Sequence, residues 1–139
     1  MFKLDARLQQ DTVVVGRFDL SLLLLHKDSN YPWFILVPQR ADACEIQDLS
    51  KAEQRVLLEE SDLTARALLD VFMPDKLNIA MLGNIVSQLH IHHVARFETD
   101  VSWPGPIWGA AAAGEYDRVQ RDERVARMRK TLVGYLTVV

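Results

Sequence analysis

Gln88, His90 and His92 occupy alternate positions in the stretch Ser87-Gln88-Leu89-His90-Ile91-His92-His93-Val94-Ala95-Arg96. Successive side chains of a β-strand point to opposite faces, so this spacing predicts Gln88, His90 and His92 on one face and Leu89, Ile91 and His93 on the other. Imidazole and carboxamide groups withdrawn from water must recover their hydrogen bonds elsewhere, and a bound ligand is one way to do so.

Three chemistries fit the row. Neutral imidazole is a good nucleophile near pH 7, and attack on phosphorus through a histidine adduct divides one hard displacement into two easier ones. Such a nucleophile needs its second ring nitrogen tied down and nearby donors for the phosphoryl oxygens, which Gln88 and His92 are placed to provide. Two histidines on one face also suit zinc, although only His26, Cys44 and scattered carboxylates could complete the set, and none has diagnostic ligand spacing. The plainest alternative is a set of satisfied structural polar groups. That reading suits His93 best, because it shares its face with Leu89 and Ile91.

The elements that must position this row follow from periodicity and turn signals. Residues 2–10 read as a short, weakly amphipathic helix. Segments 20–26 and 33–37 read as strands of a hairpin joined by Lys27-Asp28-Ser29-Asn30-Tyr31-Pro32, with Pro38 ending the second. Ser50 and Glu53 match a capping box and open a helix running to about Met73 before Pro74, with Leu49, Val56, Leu63, Ala67 and Val71 expected to face the sheet. Strands follow at 77–82 and 88–97, with Gly83 and Asn84 as turn residues of an antiparallel return. A last helix over 115–136 carries Val125, Met128, Leu132, Tyr135 and Leu136 on one stripe and a solvated arginine face opposite. Hairpin strands with segregated helices predict an α+β fold, an antiparallel sheet with helices mainly on one face.

At 139 residues, 49% hydrophobic and 25% charged, the chain suits a single domain over 1–139. A net charge of −3 gives no basic field for a nucleic-acid polymer. The single cysteine, Cys44, excludes an internal disulfide, and the absence of a signal-like start points to the cytoplasm. The longest apolar runs, 22–25 and 33–38, fall far short of the roughly 18 to 20 residues that span a bilayer, so no membrane association is expected.

Gln88-Leu89-His90-Ile91-His92-His93-Val94-Ala95-Arg96 resembles the histidine-triad (HIT) signature His-φ-His-φ-His-φ-φ, often followed by Pro-Arg or a similar pair, and Arg96 sets the register. The resemblance extends over about 20–97, through Trp33-Phe34-Ile35-Leu36-Val37-Pro38 and Asp48-Leu49-Ser50, and is weaker in the C-terminal third. Gln88 stands where the family has its first histidine, as in some bacterial HIT-like proteins. The resemblance implies a HIT-like fold and a nucleotide hydrolase or nucleotidyl transferase. Its substrate would be a phosphoanhydride, phosphoester or phosphoramidate, cleaved through a nucleotidyl-histidine intermediate, with His90 as nucleophile and His92 and Gln88 holding phosphate oxygens or orienting the reacting groups. The chemical step then requires no metal, although Mg²⁺ would accompany a polyphosphate substrate. Asn84 resembles a phosphate-contacting position and equally suits a plain turn role. His26 and Asp28 are candidates for the ribose-binding group near the end of the first hairpin strand. Trp103 and Trp108 lie in a proline-stiffened loop suited to packing, to a dimer contact or to covering a base. The resemblance also implies a homodimer. Two other classes stay open: a nucleotide-binding or scaffold protein with little chemistry, and a metal protein.

Overall fold

The computed structural model describes residues 1–139. Its elements run α1 (Ala6–Asp11), β1 (Thr12–Arg17), β2 (Ser21–His26), β3 (Trp33–Pro38), α2 (Lys51–Phe72), β4 (Lys76–Ala80), β5 (Ile91–Arg96) and α3 (Arg118–Thr131). The strands form one antiparallel sheet in the order β1-β2-β3-β5-β4. The α+β architecture expected from the sequence is therefore the observed one. No helix is long and apolar enough to cross a membrane.

β1 is the element that periodicity missed. Thr12-Val13-Val14-Val15 is β-branched and valine-rich, but it follows α1 without a turn residue and has a register shift between Val14 and Gly16. Its amides pair with β2, and near its end Arg17 exchanges two backbone hydrogen bonds with Thr137 of the C-terminal segment. β4 has no such cover on its outer side.

β3 is central and buried along its whole length, so it reads as a continuous apolar run rather than an alternation. Phe34 and Leu36 join the larger core with Leu57, Leu68, Ile91 and Met128, which packs α2 and α3 against one face of the sheet. Trp33, Ile35 and Val37 point the other way, into a smaller cluster with Leu8, Leu24, Tyr31, Val94 and Ile107. Neighbouring residues of a single strand thus build the scaffold and the floor of the site.

α2 begins as expected. Ser50 Oγ accepts from the Glu53 amide while the Glu53 carboxylate accepts from the Ser50 amide, satisfying two free donors of the helix start. Its buried stripe is centred on Leu57, Thr64, Ala67, Leu68 and Val71, one position round from the expected Val56 and Leu63, which are half-buried at its edge. α3 is shorter than its periodicity suggested, and Tyr135 lies exposed beyond its end. Nor are all its arginines simply solvated. Arg127 donates to the Val71 carbonyl in the last turn of α2 at 2.7 Å, where helix polarity favours a cation, and Arg129 donates to Val15 O at 2.8 Å.

Candidate active site

The ten residues between β4 and β5, 81–90, form an irregular loop that decides the site. The expected strand at 88–97 starts only at Ile91, because Leu89 donates its amide to Ala43 O rather than to a neighbouring strand. Strict alternation therefore does not reach Gln88. The Gln88 carboxamide turns to the N-terminal segment, accepting from the Asp5 amide and donating to Lys3 O, both at 2.9 Å. Gln88 thus departs from the expected shared row.

His90 and His92 do lie together, with ring centroids 4.9 Å apart at 73°. His90 Nδ1 is 2.6 Å from the main-chain carbonyl of Gln88. A carbonyl only accepts, so the proton resides on Nδ1 and the Nε2 lone pair of the neutral ring is left for chemistry. His92 is bound at both nitrogens: Nε2 donates to Leu82 O at 2.9 Å, and Nδ1 accepts from the Trp33 indole at 3.0 Å. No N–H of a neutral His92 therefore remains for a phosphate oxygen, and of its two expected roles the orienting one is the role these contacts allow. The two contacts tie the 81–90 loop to β3.

Burial pushes His92 down to about 4 against the opposing pull of the Leu82 carbonyl, with His90, His26 and His93 adding repulsion. His93 is likewise pushed down to about 4 by burial. It donates from Nδ1 to Ile91 O and accepts at Nε2 from the Ser61 hydroxyl of α2, the satisfied structural histidine expected from its face. Unfolding returns both rings to about 6.5, so between pH 6.5 and 4 the unfolded chain binds more protons and stability rises with pH. Each ring contributes a slope of up to about 1.4 kcal/mol per pH unit in that window. Urea unfolding should therefore show a midpoint markedly lower at pH 5 than at pH 7; equal midpoints would contradict two buried neutral imidazoles.

A cavity of about 490 Å³ opens over the His90 and His92 rings, lined on β3 by Trp33 and Ile35, on α1 by Arg7, Leu8 and Asp11, and on the loops by Asn84, Val86 and Trp108. Its wall continues as a line of rings. His26 stacks on Trp33 at 3.6 Å and 8°, and Trp108 meets both Trp33 and His92 edge-on. His26 Nδ1 accepts from the Asp28 amide, which leaves its proton on Nε2 as a donor. Burial lowers its pKa, with Asp11 and Asp28 opposing. Asn84 is exposed in the same cavity beside His90. Gly83 lies so close that an added Cβ would stand 2.7 Å from Val86 O and 3.3 Å from His90 Cε1, so the lack of a side chain permits the loop to approach the ring.

Asp28 is not brought to the site. Its Oδ1 accepts from the Asn30 and Gly114 amides, tying the hairpin turn to the loop before α3. The two indoles of the proline-rich loop also part company: Trp108 joins the cavity, while Trp103 lies over the buried Arg96 guanidinium. A smaller cavity of about 130 Å³ adjoins the large one, sharing Gly83, Asn84 and His90 with it, and is otherwise lined by Cys44, Glu45, Met81, Ser87, Gln88 and Leu89. No group of three or more histidine, cysteine or acidic side chains is placed to hold a metal ion.

The HIT domain model matches residues 7–99, from α1 through the histidine strand and its following turn. The chain belongs to the HIT domain family. A histidine triad protein from Bradyrhizobium japonicum is 42% identical over 94% of this chain and 97% of its own, with a TM-score of 0.92. Another from Sinorhizobium meliloti is 41% identical over 95% and 98%, with a TM-score of 0.92. One from Marinobacter aquaeolei is 39% identical over 95% and 96%, with a TM-score of 0.91. No curated protein matches the sequence. The likeness reaches well beyond the 20–97 span of the motif resemblance, so the C-terminal third belongs to the HIT-like fold of these neighbours too.

Trp33, Trp108, Arg7, Leu8 and Asp11 are cavity residues that spacing along the histidine strand could not identify. The available signal was modest: Arg7 and Asp11 are four apart on a short helix and Trp33 opens the apolar β3 run.

Proposed function

We propose that this HIT protein is a nucleotide hydrolase or nucleotidyl transferase in which His90 attacks the α-phosphorus of a nucleotide. The observation that carries this reading is the hydrogen bond from His90 Nδ1 to Gln88 O, which makes Nε2 the lone-pair nitrogen of the neutral ring, beside an open cavity. Attack forms an Nε2–P bond as the bond to the leaving group breaks. The ring gains positive character in that step, and the Gln88 carbonyl accepts a hydrogen bond that strengthens with it. Water then displaces the ring and releases the nucleotide.

Asn84 is the free side-chain amide beside His90 and is assigned to the phosphoryl oxygens. His92 acts one step removed, by fixing the loop that carries Asn84. The apolar middle of the large cavity suits a base and sugar, with His26 Nε2–H as a donor for a ribose hydroxyl. The leaving group is assigned to the smaller cavity. Its lining holds Glu45 but no lysine or arginine, which favours a neutral or cationic leaving group, as from a phosphoramidate, over a polyphosphate chain. The chemical step is assigned no metal, with Mg²⁺ reserved for a polyphosphate substrate.

Turnover of purified protein on nucleoside phosphoramidates and dinucleoside polyphosphates, with mass analysis of acid-quenched samples, tests this reading. A nucleotidyl adduct on His90 and faster turnover of the phosphoramidate are expected; no turnover of either would remove the enzyme. One observation favours a second reading, a nucleotide-binding protein with little chemistry: the hydrogen-bonding groups of Gln88 and His92 are engaged within the chain. Nucleotide affinity without turnover would establish it.

The homodimer belongs to the same proposal. The open edge of β4, with exposed Ile79, Met81 and Ile85 beside it, can continue the sheet into a second copy. A monomer mass by sedimentation at micromolar concentration would remove that part.

A further inference from the structure

We infer that the cavity selects a guanine base, with Asp11 and Arg7 reading its Watson–Crick edge; this rests on the nucleotide site proposed above. The topology sets the polarity of the site. The reacting ring, His90, lies immediately before β5, whereas α1 ends at β1, at the opposite edge of the sheet. The N-terminal segment and α1 together bridge the space between, from the Gln88 contacts at Lys3 and Asp5 to Asp11, whose carbonyl accepts from the Lys27 amide beside His26. A nucleotide with its phosphorus at His90 and its sugar near His26 therefore carries its base toward Arg7, Leu8 and Asp11.

That end offers flat apolar cover and two charged heads of opposite kind. Leu8 is buried with Trp33 and Ile35 in one cluster, giving the base an apolar bed. Arg7 and Asp11 are four residues apart and so share a face of the helix, and both line the cavity. Their mutual contact is long, 3.6 Å, between side chains 61% and 40% exposed, and such a pair is held weakly in water. Both heads remain available to a ligand.

A guanidinium only donates and a carboxylate only accepts. Guanine presents the O6 acceptor followed by the N1–H and 2-amino donors, so Arg7 meets O6 while Asp11 takes the two N–H groups. Adenine held in the same orientation presents its 6-amino donor to Arg7 and its N1 acceptor to Asp11, which places donor against donor and acceptor against acceptor. A base seated on Leu8 covers both heads from water, so an analogue that leaves their hydrogen bonds unmade is rejected. Paired against unpaired contacts of this kind correspond to a preference of about tenfold or more.

Calorimetric titration with GMP and AMP, on the full chain and on Asp11→Ala, tests the assignment. The Asp11 side chain is half exposed and makes no hydrogen bond to the core, so the variant should keep its fold, which an unchanged urea midpoint at pH 7 verifies. GMP should bind about tenfold or more tightly than AMP, and Asp11→Ala should reduce the gap to less than about twofold by weakening GMP. Equal affinities in the unmodified protein, or a guanine preference that survives Asp11→Ala, would overturn the base assignment and leave the nucleotide site standing. Failure of both nucleotides to bind at millimolar concentration would overturn the nucleotide site and this inference with it.

Discussion

His90→Ala should lower turnover by about 10⁴-fold or more, because it removes the nucleophile and with it the covalent route. The residual rate would come from binding and the loop alone. The variant should also lose the nucleotidyl adduct in acid-quenched samples while keeping measurable nucleotide affinity, since the apolar floor of Trp33, Ile35 and Leu8 is untouched. The fold should hold. The His90 side chain makes a single hydrogen bond, to its own loop, whereas His92 joins the loop to β3. His92→Ala is therefore the informative contrast: it should reduce turnover through loss of loop position and also lower stability. Turnover by His90→Ala within about tenfold of the unmodified protein would exclude this ring as nucleophile.

Arg96→Ala should cost about 3 to 5 kcal/mol of stability, the range for removing one partner of a buried ion pair. Arg96 is 1% exposed. Its Nε and Nη2 donate to the two oxygens of Asp100 at 2.8 and 3.1 Å, Nη1 donates to Asn78 Oδ1 on β4 at 2.8 Å, and the guanidinium lies over the Tyr31 and Trp103 rings. Removal leaves the Asp100 carboxylate out of water with only the Phe97 and Ser102 amides. Burial raises the Asp100 pKa, but Arg96 and the two amides outweigh it and hold the carboxyl below the usual range. Its contribution is thus present above the unfolded pKa and lost as pH falls through the folded one. Lysine should restore little, because a single ammonium cannot make the planar two-point contact. Urea unfolding measures the loss, and a change under about 1 kcal/mol would mean that Asp100 regains water in the variant.

The arginine that set the motif register is therefore structural. In the sequence it marked where the histidines fall; in the molecule it locks the end of β5 to β4 and to the loop before Trp108. His93 is similar, since its face was readable from alternation and its partner Ser61 was not. Gln88 is the reverse case. Alternation placed it beside His90, but alternation holds only where a strand continues, and the chain is still an irregular loop at 88. Its main-chain carbonyl sets the His90 proton while its side chain serves the N-terminal segment.

Local signals in the chain were sufficient for the α+β class, the α2 capping box, the faces of His90, His92 and His93, and the likeness to the HIT motif, because each depends on neighbours within a few positions. Tertiary structure alone decided that both nitrogens of His92 are occupied by Leu82 and Trp33, that Asp28 is spent on the hairpin turn, and that Arg7, Asp11, Trp33 and Trp108 meet over His90. Those contacts join residues far apart along the chain. The sheet order, which sets β3 beside β5 and carries α1 across the cavity, brings them together, and no periodicity encodes that order.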